Sequence, residues 1–342
     1  MSSNKYSLLA LDKIINKSRV HLYKPIQIAE ILYHYRKGDK IDLNDVESYR
    51  NISKKWRDDV SRRLVGRVST SSQKFQDNIF EENAMPPKLL KKLAIVNREN
   101  GGKIEKYIYE KLKERLSMVA DAKEYIISSG INKFNINEFL AQFKEKPGLR
   151  RSIDKAYEIT VYALFNTLVR VLKVEMGLSI NNLDKGVLND FDKFVNLVLG
   201  LSKNKPSIKI SARIFRVGAT NAADRGLDMW ANFGSAIQVK HLDLTEELAE
   251  EVTENVNADR IILVCAEADA DIIKKVASSI NGKNKIKGII TFSDLDNWYR
   301  LCFSKKYKNK MGSILLTDLQ NEFDFEFPSS TQINPFMKER DY

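Results

Sequence analysis

Cysteine is nearly absent: the 342-residue chain has two, Cys265 and Cys302. Two cysteines exclude a disulfide framework, and their spacing excludes a cysteine metal cluster. Both lie in apolar surroundings, which predicts buried, reduced thiols and a reducing compartment, the cytoplasm. Histidine is also scarce, and His21, His34 and His241 are too scattered to suggest a histidine metal site. No apolar run approaches the roughly 18 residues of a membrane span, so no membrane partner is expected. The first residues, Met1-Ser-Ser-Asn-Lys-Tyr6, lack the apolar centre of a secretory signal. No internal repeat or low-complexity tract is visible.

What the chain does have is positive charge, unevenly spread. The formal net charge is +11. Residues 1–150 carry 30 Lys and Arg against 19 Asp and Glu, whereas residues 151–342 carry 26 of each. The whole excess therefore lies in the first 150 residues. Such asymmetry suggests one region that grips a polyanion and another with a different task. A soluble basic domain with no nucleic-acid role would show the same balance. The length predicts two domains, with the boundary at Lys146-Pro147-Gly148.

Apolar periodicity makes residues 1–150 mainly helical. Helical spacing runs through 5–17, 26–36, 43–66, 70–80, 86–97 and 103–129, then 135–143. Pro86-Pro87 opens one helix, and Asn100-Gly101-Gly102 and Ser128-Ser129-Gly130 mark breaks. Residues 151–342 differ. A long apolar helix at 153–172 precedes a strand at 174–180, a helix at 189–201 and strand-like runs at 208–217, 226–231 and 236–241. A helix at 245–256, a strand at 260–266, a helix at 269–280, a strand at 286–292 and a helix from Ser293 follow. Strands alternating with helices predict an α/β domain with a mixed central β-sheet flanked by helices. The tail from Pro328 reads as polar and irregular, and Trp230 as core.

The segment 221–241 concentrates the chemistry. Asp228 starts one strand, Asn232-Phe233-Gly234 makes a turn, and Gln238 and Lys240 stand two apart on the next strand, hence on one face. The hairpin brings Asp228, Gln238 and Lys240 together. Phosphodiester hydrolysis needs oxygen ligands for a hard cation, usually Mg²⁺, and a positive charge near the attacking water. Asp228 supplies a carboxylate and Gln238 an amide oxygen. Lys240 can position the water, lower its pKa or stabilise the pentavalent phosphate. An Asp at a strand start is more often a turn residue, and a Gln and a Lys in a strand usually face solvent. Here the apolar flanks Ile237, Val239 and Leu242 mark an interior strand, where an idle Lys is costly.

An acid-bearing helix precedes this hairpin. Past Glu158 its residues are almost all apolar. A Glu in the first buried turn needs a partner, which a metal site provides; the bland reading is an exposed first-turn Glu favoured by the helix dipole.

A helix Glu, then an Asp, then a hairpin to Gln-x-Lys resembles the PD-(D/E)xK nuclease superfamily. The spacing Asp224-x-Gly226-x-Asp228 with Gln238-x-Lys240 is similar to its glutamine-containing, Mrr-like branch. Longer strings at residues 18–32, 63–77 and 220–230 resemble the HaeII-type restriction endonucleases, so the likeness covers most of the chain. It implies a type II site-specific deoxyribonuclease: Mg²⁺-dependent, cutting double-stranded DNA at a short palindrome, purine-GCGC-pyrimidine for that family. It also implies a homodimer, because a two-fold symmetric protein reads a palindrome. By this pattern Asp228, Gln238 and Glu158 become metal-site residues and Lys240 the catalytic lysine. Gln238 replaces the usual second carboxylate; Asp224 could compensate, or could hold Arg225 or cap the turn. No S-adenosylmethionine-type glycine motif is present, so protecting methylation would come from a separate cognate DNA methyltransferase. The alternatives are a Mrr-like or repair nuclease and a non-catalytic DNA-binding regulator with a nuclease-like domain.

The expected DNA grip lies in the first region. Lys54, Lys55, Arg57, Arg62, Arg63 and Arg67 crowd one helix and its end, followed by Ser71, Gln73 and Lys74. Cations neutralise phosphates and release counterions, hydroxyls fix register, and Arg and Gln can read base edges. Arg225 adds a cation beside the hairpin. A solvated basic helix face, with Asp58 and Asp59 pairing locally, is the competing reading.

Overall fold

Helices, with the loops between them, make up residues 3–145 of the computed structural model, which describes residues 3–181, 184–217, 227–278 and 285–342. They are α1 (Ser3–Lys17), α2 (Tyr23–Lys37), α3 (Arg50–Val65), α4 (Gln73–Asp77), α5 (Pro87–Glu99), α6 (Lys103–Lys133) and α7 (Ile136–Glu145). The helix expected over 43–66 begins only at Arg50. Before it, the Asp42 and Asp45 carboxylates accept from the backbone N–H groups of Asn44 and Glu47, and residues 46–48 form a short 3-10 turn. Short polar side chains of this kind compete with helix formation. Helix α6 keeps its break at Gly130, which leaves helical geometry (φ 53°, ψ −166°) before a final turn resumes.

The rest of the chain alternates. It contains α8 (Ile153–Leu172), β1 (Glu175–Ser179), α9 (Lys185–Asp190), α10 (Asp192–Phe194), β2 (Ser207–Ser211), β3 (Ile214–Arg216), β4 (Met229–Ala231) and β5 (Ala236–Val239). Then come α11 (Glu246–Asn255), β6 (Ile261–Cys265), α12 (Ala270–Ser278), β7 (Ile286–Thr291), α13 (Phe292–Phe303), α14 (Ser313–Glu326) and α15 (Ile333–Glu339). The main sheet has the order β3-β4-β5-β6-β7; β3, β4 and β5 pair antiparallel, and β5, β6 and β7 pair parallel. Helices α8, α13 and α14 cover one face, and α11 and α12 the other. This is the α/β architecture with a mixed sheet that the strand–helix alternation predicts.

Two further expectations about the fold fail. The run 208–217 is not one strand. It splits at Ala212-Arg213: β2 pairs with β1 in a separate two-stranded sheet, and β3 joins the main one. Alternation of apolar and polar residues suits either sheet equally, so the pattern could not show the crossing. The tail from Pro328 is not irregular either. Helix α15 buries Ile333 and Phe336 in the core built by α1 to α6, and the Arg340 guanidinium grips the Glu30 carboxylate at 3.0 and 3.1 Å. Two turns with only a few apolar positions carry too little periodicity to be read from sequence.

Two large apolar cores result, and α6 runs through both. Ile104, Ile108 and Leu112 belong to the first; Val119, Ala122 and Ile126 belong to the second, beneath α8 and the sheet. At 31 residues this helix is about 46 Å long, enough to tie the two together. Cys265 and Cys302 are both buried free thiols, as expected. Among the described residues no helix is long and apolar enough to cross a membrane.

Candidate active site

Strands β4 and β5 form the hairpin, with Met229 opposite Ile237 and Trp230 opposite Ala236. Gly234 closes the turn at φ 96°, a left-handed conformation that glycine adopts without a Cβ penalty. Asp228 lies just before β4. Its carbonyl accepts from the Val217 N–H at 2.8 Å, and its Oδ2 accepts from the Val239 N–H at 2.8 Å. The carboxylate thus folds across the hairpin onto β5.

Side chains alternate along β5. Ile237 and Val239 pack into the core beneath α8, so Gln238 and Lys240 face the side covered by α11. There the Lys240 ammonium lies 3.9 Å from Glu251 Oε1. Gln238 is 5% exposed, and its Oε1 makes no hydrogen bond. A buried acceptor without a partner costs about 1–3 kcal/mol.

Glu158, on α8, is buried as expected. The partners it finds in the chain are cations: Lys155 one turn earlier, and Arg216 Nη1 at 3.0 Å. Its charge also reaches Asp228. Burial first, then Glu158, push the Asp228 carboxyl up to about 6, while the Val239 N–H, Lys155 and Lys240 oppose the rise. Asp228 therefore feels the charge of Glu158 on α8 and, opposing it, that of Lys240 on β5. Asp224 and Arg225 lie outside the described residues. Among those described, no three His, Cys, Asp or Glu side chains form a metal-binding group, so a cation here would draw on the Gln238 amide as well as carboxylates.

Arg216 was invisible to sequence reasoning. Only 4% of its side chain is exposed. Its Nε donates to Glu322 Oε2 at 2.8 Å and its Nη1 to Glu326 Oε2 at 2.9 Å, both on α14. Burial alone would lower its pKa; Glu158, Glu326 and Glu322 outweigh that and raise it. Its Nη2 is buried without a partner. The one local signal was Glu322 and Glu326, a like-charged i, i+4 pair that needs a cation between its members. Nothing in the sequence pointed that pair at β3.

The polar seam continues into the first helices. Arg67 Nη1 lies 3.9 Å from Glu326 Oε1, and His21 is buried beside Arg67 and Glu326 with Nε2 unbonded. Burial, with Arg67 and Arg19 nearby and Glu326 opposing, lowers the His21 pKa from 6.5 to about 4. A group whose folded pKa is below its unfolded value holds its neutral form in the fold. Its stabilising contribution is full above pH 6.5 and lost as pH falls toward 4. Between pH 7 and pH 5 it should cost the protein about 2 kcal/mol. Asp228, with a raised pKa, works in the opposite direction. The His21 share is therefore read as the difference between wild type and His21→Phe in urea unfolding at the two pH values. Equal pH dependence in both proteins would refute it.

The expected DNA-contacting cations separate into two groups. Arg57 is 2% exposed and bonds Gln27 at 3.2 Å and Asp58 at 2.7 Å, so burial removes it from the surface and it ties α3 to α2. Lys54 pairs with Asp77, Arg62 with Asp59 at 3.0 Å, and Arg63 with Glu339 at 2.6 Å. Arg67 also donates to the Glu326 carbonyl at 3.0 Å. Lys55, Gln73 and Lys74 are exposed, and Ser71 is partly so. Trp230 is not core: it is exposed on the outer sheet face and stacks on Phe215 at 4.4 Å.

The family model of the HaeII restriction endonuclease matches residues 8–342. The chain is 50% identical over 337 residues to the type II restriction enzyme HaeII of Haemophilus aegyptius, covering 97% of this chain and 95% of that protein. It is 46% identical over 328 residues to the type II restriction enzyme NgoBI of Neisseria gonorrhoeae, covering 96% and 93%. No solved structure matches the chain. A hairpin carrying Asp228, Gln238 and Lys240, inside a match that runs almost end to end, leads to one conclusion: the chain belongs to the HaeII restriction endonuclease family and is a type II restriction endonuclease.

Proposed function

We propose that the protein hydrolyses phosphodiester bonds in double-stranded DNA, with Mg²⁺, at a short palindrome of the form purine-GCGC-pyrimidine, acting as a homodimer. The observation that carries this reading is the bare Gln238 Oε1 beside a hairpin whose Asp228 carboxyl is raised by burial and by Glu158. An unpartnered buried acceptor and excess negative charge fit a hard cation with oxygen ligands. Asp228 and Gln238 would hold it, with Glu158 and Asp224 as further carboxylates. Bound there, Mg²⁺ would polarise the phosphate and help ionise the attacking water. Lys240 orients that water or meets the developing charge on phosphorus.

The DNA backbone is held by Lys54, Lys55, Arg62, Arg63, Arg67 and Lys74, with Ser71 and Gln73 fixing register and Arg225 as a further cation. Several of these cations already pair with carboxylates, so DNA binding exchanges one anionic partner for another. A separate methyltransferase would protect the same sites in the host.

Plasmid DNA incubated with the protein and Mg²⁺ should give discrete fragments whose ends map to one palindrome, and no cleavage with EDTA. Cleavage at many unrelated ends would favour a repair-type nuclease. No Mg²⁺-dependent cleavage of any DNA would refute the reading.

A further inference from the structure

Both carboxylate oxygens of Glu158 are taken up by cations. Lys155 Nζ donates to Oε2, and Arg216 Nη1 donates to Oε1 at 3.0 Å. The two cations are held differently. Arg216 is anchored on α14 by Glu322 and Glu326, and 4% of its side chain is exposed. Lys155 lies in the first turn of α8, with 13% of its side chain exposed. Its charge also reaches the carboxylates of Asp228 and Glu326. An ammonium on a flexible four-carbon stem can swing away from its partner, whereas a planar guanidinium gripped by three carboxylates cannot.

We propose that Lys155 serves the cleavage reaction as a second lysine: it holds Glu158 until a divalent cation competes for that carboxylate, then turns its ammonium to a phosphate of the DNA. This rests on the proposed Mg²⁺-dependent cleavage and names the residue that the metal must displace.

Charge balance supports the exchange. Among the described residues, the carboxylates of Asp228, Glu158, Glu322 and Glu326 meet three cations, Lys155, Arg216 and Arg67. One negative charge is left over. A divalent cation would reverse the sign of the cluster, and one DNA phosphate would bring it back to neutral. The mobile cation of the three is the one that can follow the phosphate.

The surroundings of Lys155 suit a polyanion. Arg150 and Arg151, in the 3-10 turn just ahead of α8, are exposed, and the exposed Arg19 pairs with Asp154. These arginines lie outside the basic stretch 54–74, so backbone contact would extend to the start of α8.

Calorimetric titration with Mg²⁺ in the absence of DNA reads the first half of the exchange. Lys155→Met removes the competing charge, so Mg²⁺ should bind at least ~10-fold more tightly than to wild type. Lys155→Arg keeps the charge and should stay near wild type. Lys13→Met, which loses an exposed lysine of α1, should bind Mg²⁺ as wild type does. Cleavage reads the second half. Lys155→Met should reach its half-maximal rate at lower Mg²⁺, yet its saturated single-turnover rate should fall at least ~10-fold for want of the phosphate contact. A lysine that only props Glu158 in place would instead weaken metal binding and slow cleavage together. If Lys155→Met loses its fold by circular dichroism, Lys155→Gln, neutral and still able to donate to Glu158, is read in the same way. Unchanged or weakened Mg²⁺ binding in the neutral variants, equal tightening in Lys13→Met, or a saturated rate equal to wild type would each overturn the inference while wild-type cleavage persists. A wild type that cleaves no DNA with Mg²⁺ is a different result: it removes the nuclease reading, and this inference with it.

Discussion

Replacing Lys240 with Ala should reduce the single-turnover cleavage rate by at least ~10³-fold while leaving DNA affinity within a few-fold of wild type. The reason lies in what the ammonium does in each state. At rest it is partly buried, and its ion pair is a long one, 3.9 Å from Glu251. Partly exposed pairs of this kind contribute about 0–1 kcal/mol, so the variant should fold normally. During hydrolysis the same ammonium stands on the face of β5 that also carries Gln238. Charge that is aimed at a transition state and shielded from water commonly supplies several kcal/mol to the rate. Removing it should lower kcat and kcat/KM together, the signature of an interaction made in the transition state alone. Rapid-quench cleavage with Mg²⁺, beside a gel-shift titration without metal, separates the two readouts. A Lys240→Ala protein that cuts at near the wild-type rate would remove Lys240 from the chemistry.

Arg216→Leu should destabilise the fold far more than Lys240→Ala. Arg216 is the shared cation of Glu158, Glu322 and Glu326, and the side chains of Glu158 and Glu326 are almost fully buried. Taking away one partner of a buried ion pair leaves an uncompensated charge and costs about 3–5 kcal/mol. Lys155 and Arg67 remain nearby, so the lower half of that range is expected. Arg216→Lys keeps the charge but cannot present separate donors to three carboxylates, and should recover only part of the loss. Adding Glu158→Gln to Arg216→Leu should cost less than the sum of the two single changes, because the second removes a charge that the first left bare. Urea denaturation of wild type, the two single variants and the double variant measures this. An Arg216→Leu protein as stable as wild type would refute the assignment. Cleavage should also fall in the folded variant, since Glu158 would lose the contact that orients it beside Asp228.

Legibility followed the range of the interactions. Helices α8 and α11 and strands β6 and β7 were readable because apolar period and capping residues act within a few positions. The Asp228–Gln238–Lys240 hairpin was readable for the same reason: a turn of Asn232, Phe233 and Gly234 with two-residue alternation defines it locally. Trp230 was misplaced because its face of β4 depends on what covers the sheet there, and alternation cannot tell a covered face from a bare one. Arg57 was misplaced because a cation on a basic helix looks the same whether it faces solvent or Gln27 of the next helix.

By itself, then, the sequence determined the α/β class, the hairpin with its Asp228 and Gln238-x-Lys240 spacing, and the asymmetry of charge. Each is a property of neighbouring residues or of composition, and needs no knowledge of what packs where. Tertiary structure alone decided that Gln238 would bury a bare carbonyl, that 208–217 would divide between two sheets, and that α15 would return to the first core. It also decided that Arg216 would gather acids from two helices. These outcomes join residues that lie far apart in the chain, as with Arg216 and Glu326 at a separation of 110. No periodicity carries information over that distance; only the packing of the finished sheet between its helices brings such groups within reach.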